Sequence, residues 1–511
     1  MSAAPALLAA TLAVAMLAAP GVLASPAATA TATVASASAT EQRSDELQDA
    51  VTVQKVLRHL DNFAGIAQDN DGNRASGTPG YDASARYVYN RLARAGYDVK
   101  YQYLDFLSFS ELSPPTFEQI SPTPTPYVRG RDFATARFSG AGTAKATAQF
   151  VDVLLPPPGQ PGSTSGCEAT DFATFVAGNV ALIQRGTCTF EIKARNAQDA
   201  GASAVIVFNE GQQGRTDLVA GTLHNPVDIP VIGTTFALGS ALDGATVRVS
   251  TDTEAVVKPT RNVIAQTRGG DDDNVVMVGS HLDSVQEGTG HNDNGTGSAA
   301  TLEVALRLAR TRAEPVNAVR FAWWGAEESG LVGSSHYVDQ LEPEDVEKIA
   351  LYLNFDMVGS PNYIRGVYDG DGSSYGQAGP PGSAAIEDLF NQHFADAGLA
   401  YEGIEFSGRS DYAAFIDKGI PAGGLFTGAE EAKTPEQVTR YGGVAGAAAD
   451  PCYHQACDSP APVADGADPA VYGQLRDLVG NVNTVALDTN ADAIAHAVAT
   501  YAYGAPRISA G

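Results

Sequence analysis

Residues that can bind a metal ion or transfer a proton recur at the ends of the strands predicted in the second half of this chain. Taken alone, each has an ordinary explanation, since a His-x-Asp in a loop makes a surface hydrogen bond and an Asp in "NDNG" is a turn residue. Their recurrence after successive apolar runs indicates a site. The motifs are "GSHLDSV" with His281 and Asp283, "NDNG" with Asp293, "WWGAEE" with Glu327 and Glu328, "NFDM" with Asp356, and "CYHQACD" with Tyr453 and His454.

The residue types in these motifs predict a metal centre. Two histidines with several carboxylates and no cysteine ligand suit zinc. One zinc ion needs only three protein ligands and a water, so there are enough ligands for two ions that share a carboxylate bridge. Such a pair activates water and binds the substrate carbonyl oxygen. The helical H-E-x-x-H pattern, another arrangement that binds zinc through two histidines, is absent from the sequence.

The other histidines lack a comparable pattern. His291, two residues before Asp293, is an alternative ligand. We expect structural roles for the rest, which are His59, His224, His336, His393 and His496.

The adjacent Glu327 and Glu328 raise a separate problem. Two neighbouring carboxylates repel each other, and neither is easily buried after a strand as apolar as "VRFAWW". A solvated loop is the simplest explanation. The alternative is that a positive group separates them, and a metal centre would supply one.

The elements that must position these residues form an α/β pattern. From about Lys258, apolar strands such as "NVVMVGS" and "NAVRFAWW" alternate with helices such as "GTGSAATLEVALRLAR". This alternation predicts a mostly parallel mixed sheet sandwiched by helices. Ligands of such sheets bind at the carboxyl ends of the strands, where the motifs are.

The first half of the chain has a different organisation. The stretch "YDASARYVYNRLARAG" predicts a helix with an apolar stripe that Gly96 ends, followed by the strand "YDVKYQYLDF". Residues 112–253 then begin with a Pro-rich segment and hold short strands such as "NVALIQ" and "AVIVFN" around the helix "EIKARNAQDAGA". We predict that 112–253 is an inserted, β-rich domain, and that 45–111 and 254–505 together form the main domain.

The N-terminus predicts export. Residues 1–24 hold an apolar run followed by small residues suited to cleavage, which is typical of a signal peptide. Residues 25–44 are rich in Ala, Ser and Thr and predict a linker or pro-segment with no core of its own. We therefore expect a secreted protein. Cys167 with Cys188 and Cys452 with Cys457 form local pairs, for which an exported compartment permits disulfides.

The strongly acidic charge limits the partners. The chain of 511 residues has 59 acidic and 32 basic residues and a formal charge of -27, which repels nucleic acid and anionic membranes. We expect neither as a partner, and we expect a monomer.

The motifs together resemble those of the M28 zinc aminopeptidases, in particular secreted leucine-type enzymes of streptomycetes. The similar blocks are "GSHLDSV", "NDNGTG", "WWGAEESGLVGS", "NFDM", "GRSDYAAF" and "CYHQACD". The segment with "VALIQRGTCTF" and "IPVIGTT" looks like a protease-associated (PA) domain, which this family often carries as an insert.

The resemblance implies a role for each site residue. It implies Asp293 as the bridging ligand, His281 and Asp356 as ligands of one zinc, and Glu328 and His454 as ligands of the other. Glu327 becomes the general base, and Asp283 the carboxylate that fixes the tautomer of His281. Tyr453 becomes a donor to the oxyanion, on a loop that the Cys452–Cys457 disulfide holds in place. Arg409, in "GRSDY", lines the substrate pocket.

The implied activity is the release of N-terminal residues from peptides or proteins, with a preference for large apolar residues such as Leu. A carboxypeptidase on the same fold would need basic residues for the terminal carboxylate, and Arg409 is the only such residue close to a motif. A glutaminyl cyclase, which uses one zinc, and a non-catalytic receptor or scaffold are further alternatives. Calcium activates some relatives, so the resemblance also allows for a calcium ion, but the sequence contains no matching calcium motif.

Overall fold

The computed structural model describes residues 26–311 and 313–504, with side chains from residue 38 onward. The predicted signal peptide, 1–24, lies outside the described residues. The helices are α1 (Pro26–Ala50), α2 (Val53–Gln68), α3 (Pro79–Ala95), α4 (Phe190–Asp199), α5 (Phe236–Gly239), α6 (Gly295–Leu308), α7 (Val332–Asp339), α8 (Pro343–Val346), α9 (Ser383–Asp396), α10 (Tyr412–Asp417), α11 (Pro435–Tyr441), α12 (Pro469–Tyr472) and α13 (Thr484–Tyr503). No helix of these ranges is both long and apolar enough to cross a membrane.

The strands form one large sheet and a small hairpin. They are β1 (Asp98–Ser121), β2 (Thr125–Pro126), β3 (Phe133–Thr135), β4 (Gly142–Phe150), β5 (Val180–Gln184), β6 (Ala204–Phe208), β7 (Val231–Thr234), β8 (Thr246–Gln266), β9 (Asp271–His281), β10 (Asn317–Trp324), β11 (Ile349–Phe355), β12 (Gly366–Tyr368), β13 (Glu402–Ile404), β14 (Ala422–Phe426), β15 (Leu478–Val479) and β16 (Val482–Asn483). The large sheet runs β13-β12-β14-β11-β9-β10-β8-β4-β5-β6-β7-β3, with β1 also paired to β8.

The central strands of the main domain are parallel, as predicted. β9 pairs in parallel with β10 and β11, and β11 pairs in parallel with β14. Alternate residues of each strand enter opposite layers of core: Val276 and Val278 pack on the side of α6 and α13, and Val275 and Met277 pack on the side of α7 and α10. A sheet covered by helices on both faces explains why these strands are continuously apolar.

The helix predicted before the first strand is confirmed. Ala85, Val88 and Leu92 are buried on one face of α3. Gly96 follows the helix with φ of 102°, a left-handed conformation that favours glycine, and its N–H binds the carbonyls of Leu92 and Ala93.

A long two-stranded ribbon connects the main domain to the predicted insert. β1 and β8 pair in antiparallel register from Asp98 opposite Gln266 to Ser121 opposite Thr246. The predicted boundaries at 112 and 253 therefore fall inside these strands rather than in linkers. Pro114 and Pro115 lie at a register shift of the ribbon, where their missing N–H groups cost no ladder hydrogen bond.

The insert has a sheet and a core of its own. β4, β5, β6 and β7 pair in parallel in that order. Residues such as Leu182 and Ile206 pack on one face, and Ile183 and Val207 on the other. The Cys167–Cys188 disulfide lies within this region, with an S–S distance of 2.04 Å.

For residues 26–44, the linker alternative of the prediction is wrong, whereas the pro-segment alternative stays a prediction. Pro26–Ala50 is one α-helix that packs along α13. Ser44 and Leu47 are buried, and the Ser44 hydroxyl lies 2.8 Å from His496 Nδ1. The composition shows correctly that the segment has no core of its own, but the helix packs against the surface of another helix instead. The segment is also rich in alanine, the residue with the highest helix propensity.

Candidate metal centre

The strand ends bring most of the predicted site residues to one edge of the sheet. His281 is the last residue of β9, Glu327 and Glu328 follow β10, and Asp356 directly follows β11. Asp293 precedes α6, which begins at Gly295. Since β9, β10 and β11 are parallel neighbours, their carboxyl ends meet, and these five side chains converge there.

The side chains make close contacts through the atoms that bind metals. His281 Nε2 lies 3.2 Å from Asp293 Oδ1 and 3.2 Å from Asp356 Oδ1. His454 Nε2 lies 3.2 Å from Asp293 Oδ2 and 3.0 Å from Glu328 Oε2. Asp293 therefore faces both histidines, one oxygen to each. The residues divide into two groups, His281 with Glu327 and Asp356, and Asp293 with Glu328 and His454.

The backbone around the two glutamates explains why adjacent side chains join different groups. Ala326, just before them, has φ of 57°, a left-handed conformation that is uncommon for a residue other than glycine. The chain turns sharply after β10 and then closes with a hydrogen bond from Leu331 N to Glu327 O at 2.8 Å. Glu327 consequently joins the group of His281 and Asp356, whereas Glu328 joins that of Asp293 and His454.

His454 does not follow a strand, and the prediction that it does is wrong. Tyr453 and His454 lie in a turn that the Cys452–Cys457 disulfide closes, with an S–S distance of 2.08 Å. The disulfide and Tyr472 form part of a small apolar cluster beneath the turn. The position of His454 is thus set by loop packing rather than by the sheet.

A buried polar network fixes this turn against the strand-end residues. Asp458 accepts hydrogen bonds from the backbone N–H groups of Asn292 at 2.8 Å and Asp293 at 3.0 Å. The Asn481 amide donates to Asp450 and Asp458, and the Asn292 amide donates to Asp450. The turn and the bridging residue Asp293 therefore share the same supports.

The orientation of His281 is set mainly by a backbone group. His281 Nδ1 lies 3.1 Å from the backbone oxygen of Asp283 and 3.7 Å from its carboxylate. A proton on Nδ1 leaves Nε2 free to bind a metal. The Asp283 carboxylate itself accepts the N–H of Glu327 at 3.3 Å, so it also holds the glutamate turn.

The pKa values of the cluster residues are shifted by burial and by the charges of their neighbours. Burial lowers the pKa of His281, but Asp356 and Glu327 more than offset this and raise it well above its usual range. Likewise, burial is outweighed at His454, where Glu328 and Asp293 raise the pKa to about 11. Burial raises the pKa of Glu327 well above its usual range and also raises that of Glu328. Positive charge is needed for all these carboxylates to ionise together.

The donor set fits a pair of zinc ions. The histidine nitrogens and carboxylate oxygens lie 3.0–3.2 Å apart. Two ligand atoms bound to the same tetrahedral zinc ion are expected to be about 3.3 Å apart. Glu328 Oε1 is buried with no hydrogen-bond partner, which a cation would provide. Mixed imidazole and carboxylate donors favour zinc over calcium or magnesium.

A cavity of about 310 Å³ opens onto the metal cluster. Its walls include Ile364, Tyr368, Ile404, Tyr412 and Phe426. Arg409 and Tyr453 also line it, with Arg409 Nη2 lying 3.3 Å from the Tyr453 hydroxyl. Arg409 is half-exposed and donates to Glu430 at 2.7 Å.

Two arginines that the sequence motifs do not indicate hold the site. Arg74 is fully buried and donates to the carbonyls of Leu282, Thr289 and Gly290, so it ties together the two ends of the loop after β9. Arg137, from the insert, donates to the backbone oxygen of Glu328. Neither has a local sequence signal, because both act on backbone oxygens far away in the sequence.

Lys433 and Asp411 were also missed. Lys433, which lies in none of the motifs, also lines the cavity. Its ammonium donates to the Tyr363 carbonyl at 2.5 Å. Asp411, within the "GRSDY" motif, is buried near His281, and burial raises its pKa to about 7.

The remaining histidines lie apart from the metal cluster. His59 contacts Glu303 at 3.1 Å and Tyr87 at 2.6 Å, so it does have the carboxylate partner that its sequence context did not suggest. His393 and His496 stack with ring centroids 4.8 Å apart. His291 is buried, and burial lowers its pKa to about 4.

Comparison with known proteins identifies the family of this chain. Residues 262–482 match Peptidase family M28, and residues 146–242 match the PA domain. An aminopeptidase of Pseudomonas aeruginosa is 48% identical over 447 residues, which cover 86% of this chain and 79% of that protein. Leucine aminopeptidase 2 of Trichophyton tonsurans is 38% identical over 90% of this chain and 86% of that protein.

Solved structures share the fold. An aminopeptidase from Aneurinibacillus sp. strain AM-1 aligns over 92% of this chain and 98% of that one, with a TM-score of 0.67 and 23% identity. A zinc aminopeptidase from Bacillus subtilis aligns over 88% and 94%, with a TM-score of 0.57 and 24% identity. The chain therefore belongs to peptidase family M28, carries a PA domain and is a hydrolase of the aminopeptidase class.

Proposed function

We propose that this aminopeptidase is a secreted enzyme that uses two zinc ions to release large apolar residues from the N-termini of peptides. His281 and Asp356 would hold one ion, Glu328 and His454 the other, and Asp293 both. The observation that carries the proposal is the Asp293 carboxylate, whose two oxygens each lie 3.2 Å from the Nε2 of a different histidine. The zinc-dependent Bacillus subtilis relative supports the choice of metal.

The proposed chemistry divides among the residues of the cluster. Bound zinc would supply Lewis acidity, which makes water nucleophilic at neutral pH and stabilises charge on a carbonyl oxygen. Glu327 takes the proton of the attacking water and gives it to the leaving amine. The raised pKa of Glu327, caused first by burial, suits a group that must both accept and donate. The Tyr453 hydroxyl donates a hydrogen bond to the developing oxyanion.

An amino terminus suits the charges around the cavity better than a carboxyl terminus. The carboxylates of Glu402, Glu405 and Glu431 line it with Glu327 and Asp356. Both basic groups in the lining already have partners, since Arg409 pairs with Glu430 and the Lys433 ammonium binds a carbonyl. The excess of negative charge attracts an α-ammonium group and disfavours the carboxypeptidase alternative.

The cavity walls support a preference for large apolar residues. Ile364, Tyr368, Ile404 and Phe426 offer apolar surface for a side chain such as leucine. The leucine aminopeptidase relatives support the same preference.

The two disulfides and the N-terminal sequence support secretion.

Hydrolysis of leucine p-nitroanilide, with its N-acetyl derivative as control, tests the activity. We expect rapid release of nitroaniline from the free amine only, loss of activity with a chelator, and recovery with zinc. Equal cleavage of the acetylated compound would contradict the aminopeptidase assignment. Cyclisation of N-terminal glutamine without peptide cleavage would favour the cyclase, and no turnover of the zinc-loaded protein on any aminoacyl anilide would favour the scaffold.

A further inference from the structure

A second cavity, which we call the interdomain cavity, lies between the insert and the main domain and has a volume of about 710 Å³. It is more than twice as large as the first cavity, of about 310 Å³, which opens onto the metal cluster. Its walls come from three parts of the chain: Phe109 and Glu111 of β1, Ala134, Thr135 and Arg137 of the insert, and Gln286 of the loop after β9. The cavity therefore exists only where the insert packs against the main domain.

The metal cluster lies between the two cavities. Glu327 and Asp356 line the first cavity, whereas Glu328, the next residue along the chain from Glu327, lines the interdomain cavity. His454 lines both cavities. A substrate that is bound at the cluster can therefore extend into both of them.

The proposed function uses only the first cavity. The first residue of a substrate would place its ammonium group beside the carboxylates there and its side chain against the apolar wall. The rest of the peptide must leave the cluster by another route, and an extended chain advances about 3.3–3.6 Å per residue. The interdomain cavity begins at the cluster and has a volume that suits a ligand of several residues.

Polar groups on the walls of the interdomain cavity lack partners among the described residues. The Arg137 guanidinium donates from Nη1 to the backbone oxygen of Glu328, but its Nε is buried and has no hydrogen-bond partner. Thr135 Oγ1 and Glu111 Oε1 are also buried without a hydrogen-bond partner. Buried polar groups normally have partners, and a peptide main chain supplies both donors and acceptors. The lining therefore suits a peptide backbone better than an apolar ligand.

We propose that the interdomain cavity binds the main chain of the residues that follow the scissile bond, and that Arg137 donates a hydrogen bond to this leaving peptide. The preferred substrates are then peptides of several residues rather than dipeptides. Because Arg137 also binds the backbone of Glu328, it connects the leaving peptide to the turn that carries the two glutamates. This inference rests on the proposed aminopeptidase function and extends it from the first residue of the substrate to the residues behind it.

Hydrolysis of a series of amidated peptides by the zinc-loaded full chain tests the proposal. The peptides Leu-Gly-NH2, Leu-Gly-Gly-NH2 and Leu-Gly-Gly-Gly-NH2 share the scissile bond, and their leaving parts have neither side chains nor a terminal carboxylate. We expect kcat/KM for the initial release of leucine to rise about tenfold from the shortest peptide to the longest, the effect of one or two net hydrogen bonds. Equal kcat/KM for all three would overturn the proposal, and cleavage of none would contradict the proposed function as well.

A variant that fills the cavity tests where the leaving peptide binds. Ala220 is exposed and lines the interdomain cavity from the insert, so Ala220→Trp reduces its volume. The control is Ala237→Trp, at an exposed alanine of the insert that is not part of this lining. We expect the ratio of kcat/KM for the longest peptide to that for the shortest to fall to about one in Ala220→Trp and to stay at about ten in the control. This ratio does not depend on the fraction of folded enzyme, so an unchanged ratio in Ala220→Trp would overturn the assignment to this cavity.

The variant Arg137→Ala separates peptide binding from a purely structural role. If Arg137 only positioned the glutamate turn, its loss would lower kcat/KM by the same factor for all three peptides. We expect a larger fall for the longest peptide than for the shortest, by about threefold or more. An equal fall for all three would show that Arg137 does not bind the leaving peptide and would overturn that part of the proposal.

Discussion

The two halves of the metal cluster are held by different means. His281, Asp356 and the two glutamates follow parallel strands whose positions are fixed by a core on both faces of the sheet. His454 and Tyr453 lie in a turn fixed by a disulfide, a buried carboxylate and amide network and a small apolar cluster. Asp293 joins the halves, because its side chain faces both histidines while Asp458 binds its backbone. A ligand that follows a strand is positioned by residues next to it in the sequence, so a local sequence pattern reveals it. A ligand in a loop is positioned by contacts with residues from distant parts of the chain.

The largest effect should come from the strand half. Replacing Glu327 with Gln removes the proposed general base but keeps the size of the side chain, so kcat should fall by about 10³-fold. Zinc content by mass spectrometry should remain two per chain. The matched change Glu328→Gln removes a proposed ligand and should lower zinc content instead. If Glu327→Gln keeps near-normal kcat with both ions bound, another group is the base.

Removing the disulfide of the loop half should have the next largest effect. Cys452→Ser with Cys457→Ser frees the turn of His454, and loss of such a support typically weakens metal binding by about 10–100-fold. Zinc titration in a metal buffer should show one weakened site and one unchanged site. Cys167→Ser with Cys188→Ser is the control, since that disulfide lies in the insert. Equal weakening in both double variants would contradict the local role of the turn.

The insert contacts the strand half through Arg137. Arg137→Ala removes the hydrogen bond to the backbone of Glu328. We expect kcat/KM to fall about tenfold, because a hydrogen bond that contributes roughly 1.4 kcal/mol to transition-state binding corresponds to a tenfold change in rate. The matched control is Arg131→Ala, whose exposed side chain pairs only with the adjacent Asp132. Steady-state kinetics of both variants make the comparison. Unchanged kinetics of Arg137→Ala would mean that the insert does not position the glutamate turn.

The smallest effect concerns the helices behind the strands. Burial, with the charge of His496, lowers the pKa of His393 to about 4. Because the unfolded state binds the proton near pH 6.5, this contribution to stability is present above that pH and is lost as the pH falls toward 4. His393 is partly exposed, so the change should be on the order of 1 kcal/mol. Urea unfolding between pH 4 and 7 should show a flatter pH dependence for His393→Asn, and an identical profile would contradict this.

The strand half of the metal cluster could be predicted from the sequence better than the loop half. The alternating apolar strands and helices predicted the sheet, and polar residues at strand ends predicted where His281 and Asp356 meet. Asp293 was also placed at a strand end, but it lies just before α6. The turn of His454 was misplaced at a strand end because its supports, such as Asp458 and Asn481, have no periodicity that a sequence reveals. Arg74 and Arg137 were missed because they bind backbone oxygens that only the folded chain brings near. The helix at Pro26–Ala50 was taken for a linker or pro-segment with no core of its own because its partner surface, α13, lies at the other end of the chain.

Anomalous scattering from crystals of the active enzyme, measured on both sides of the zinc absorption edge, tests the central claim most directly. We expect two zinc peaks, one beside His281 and Asp356 and the other beside Glu328 and His454, with the Asp293 carboxylate between them. A single peak, or peaks away from Asp293, would contradict the proposed two-zinc centre.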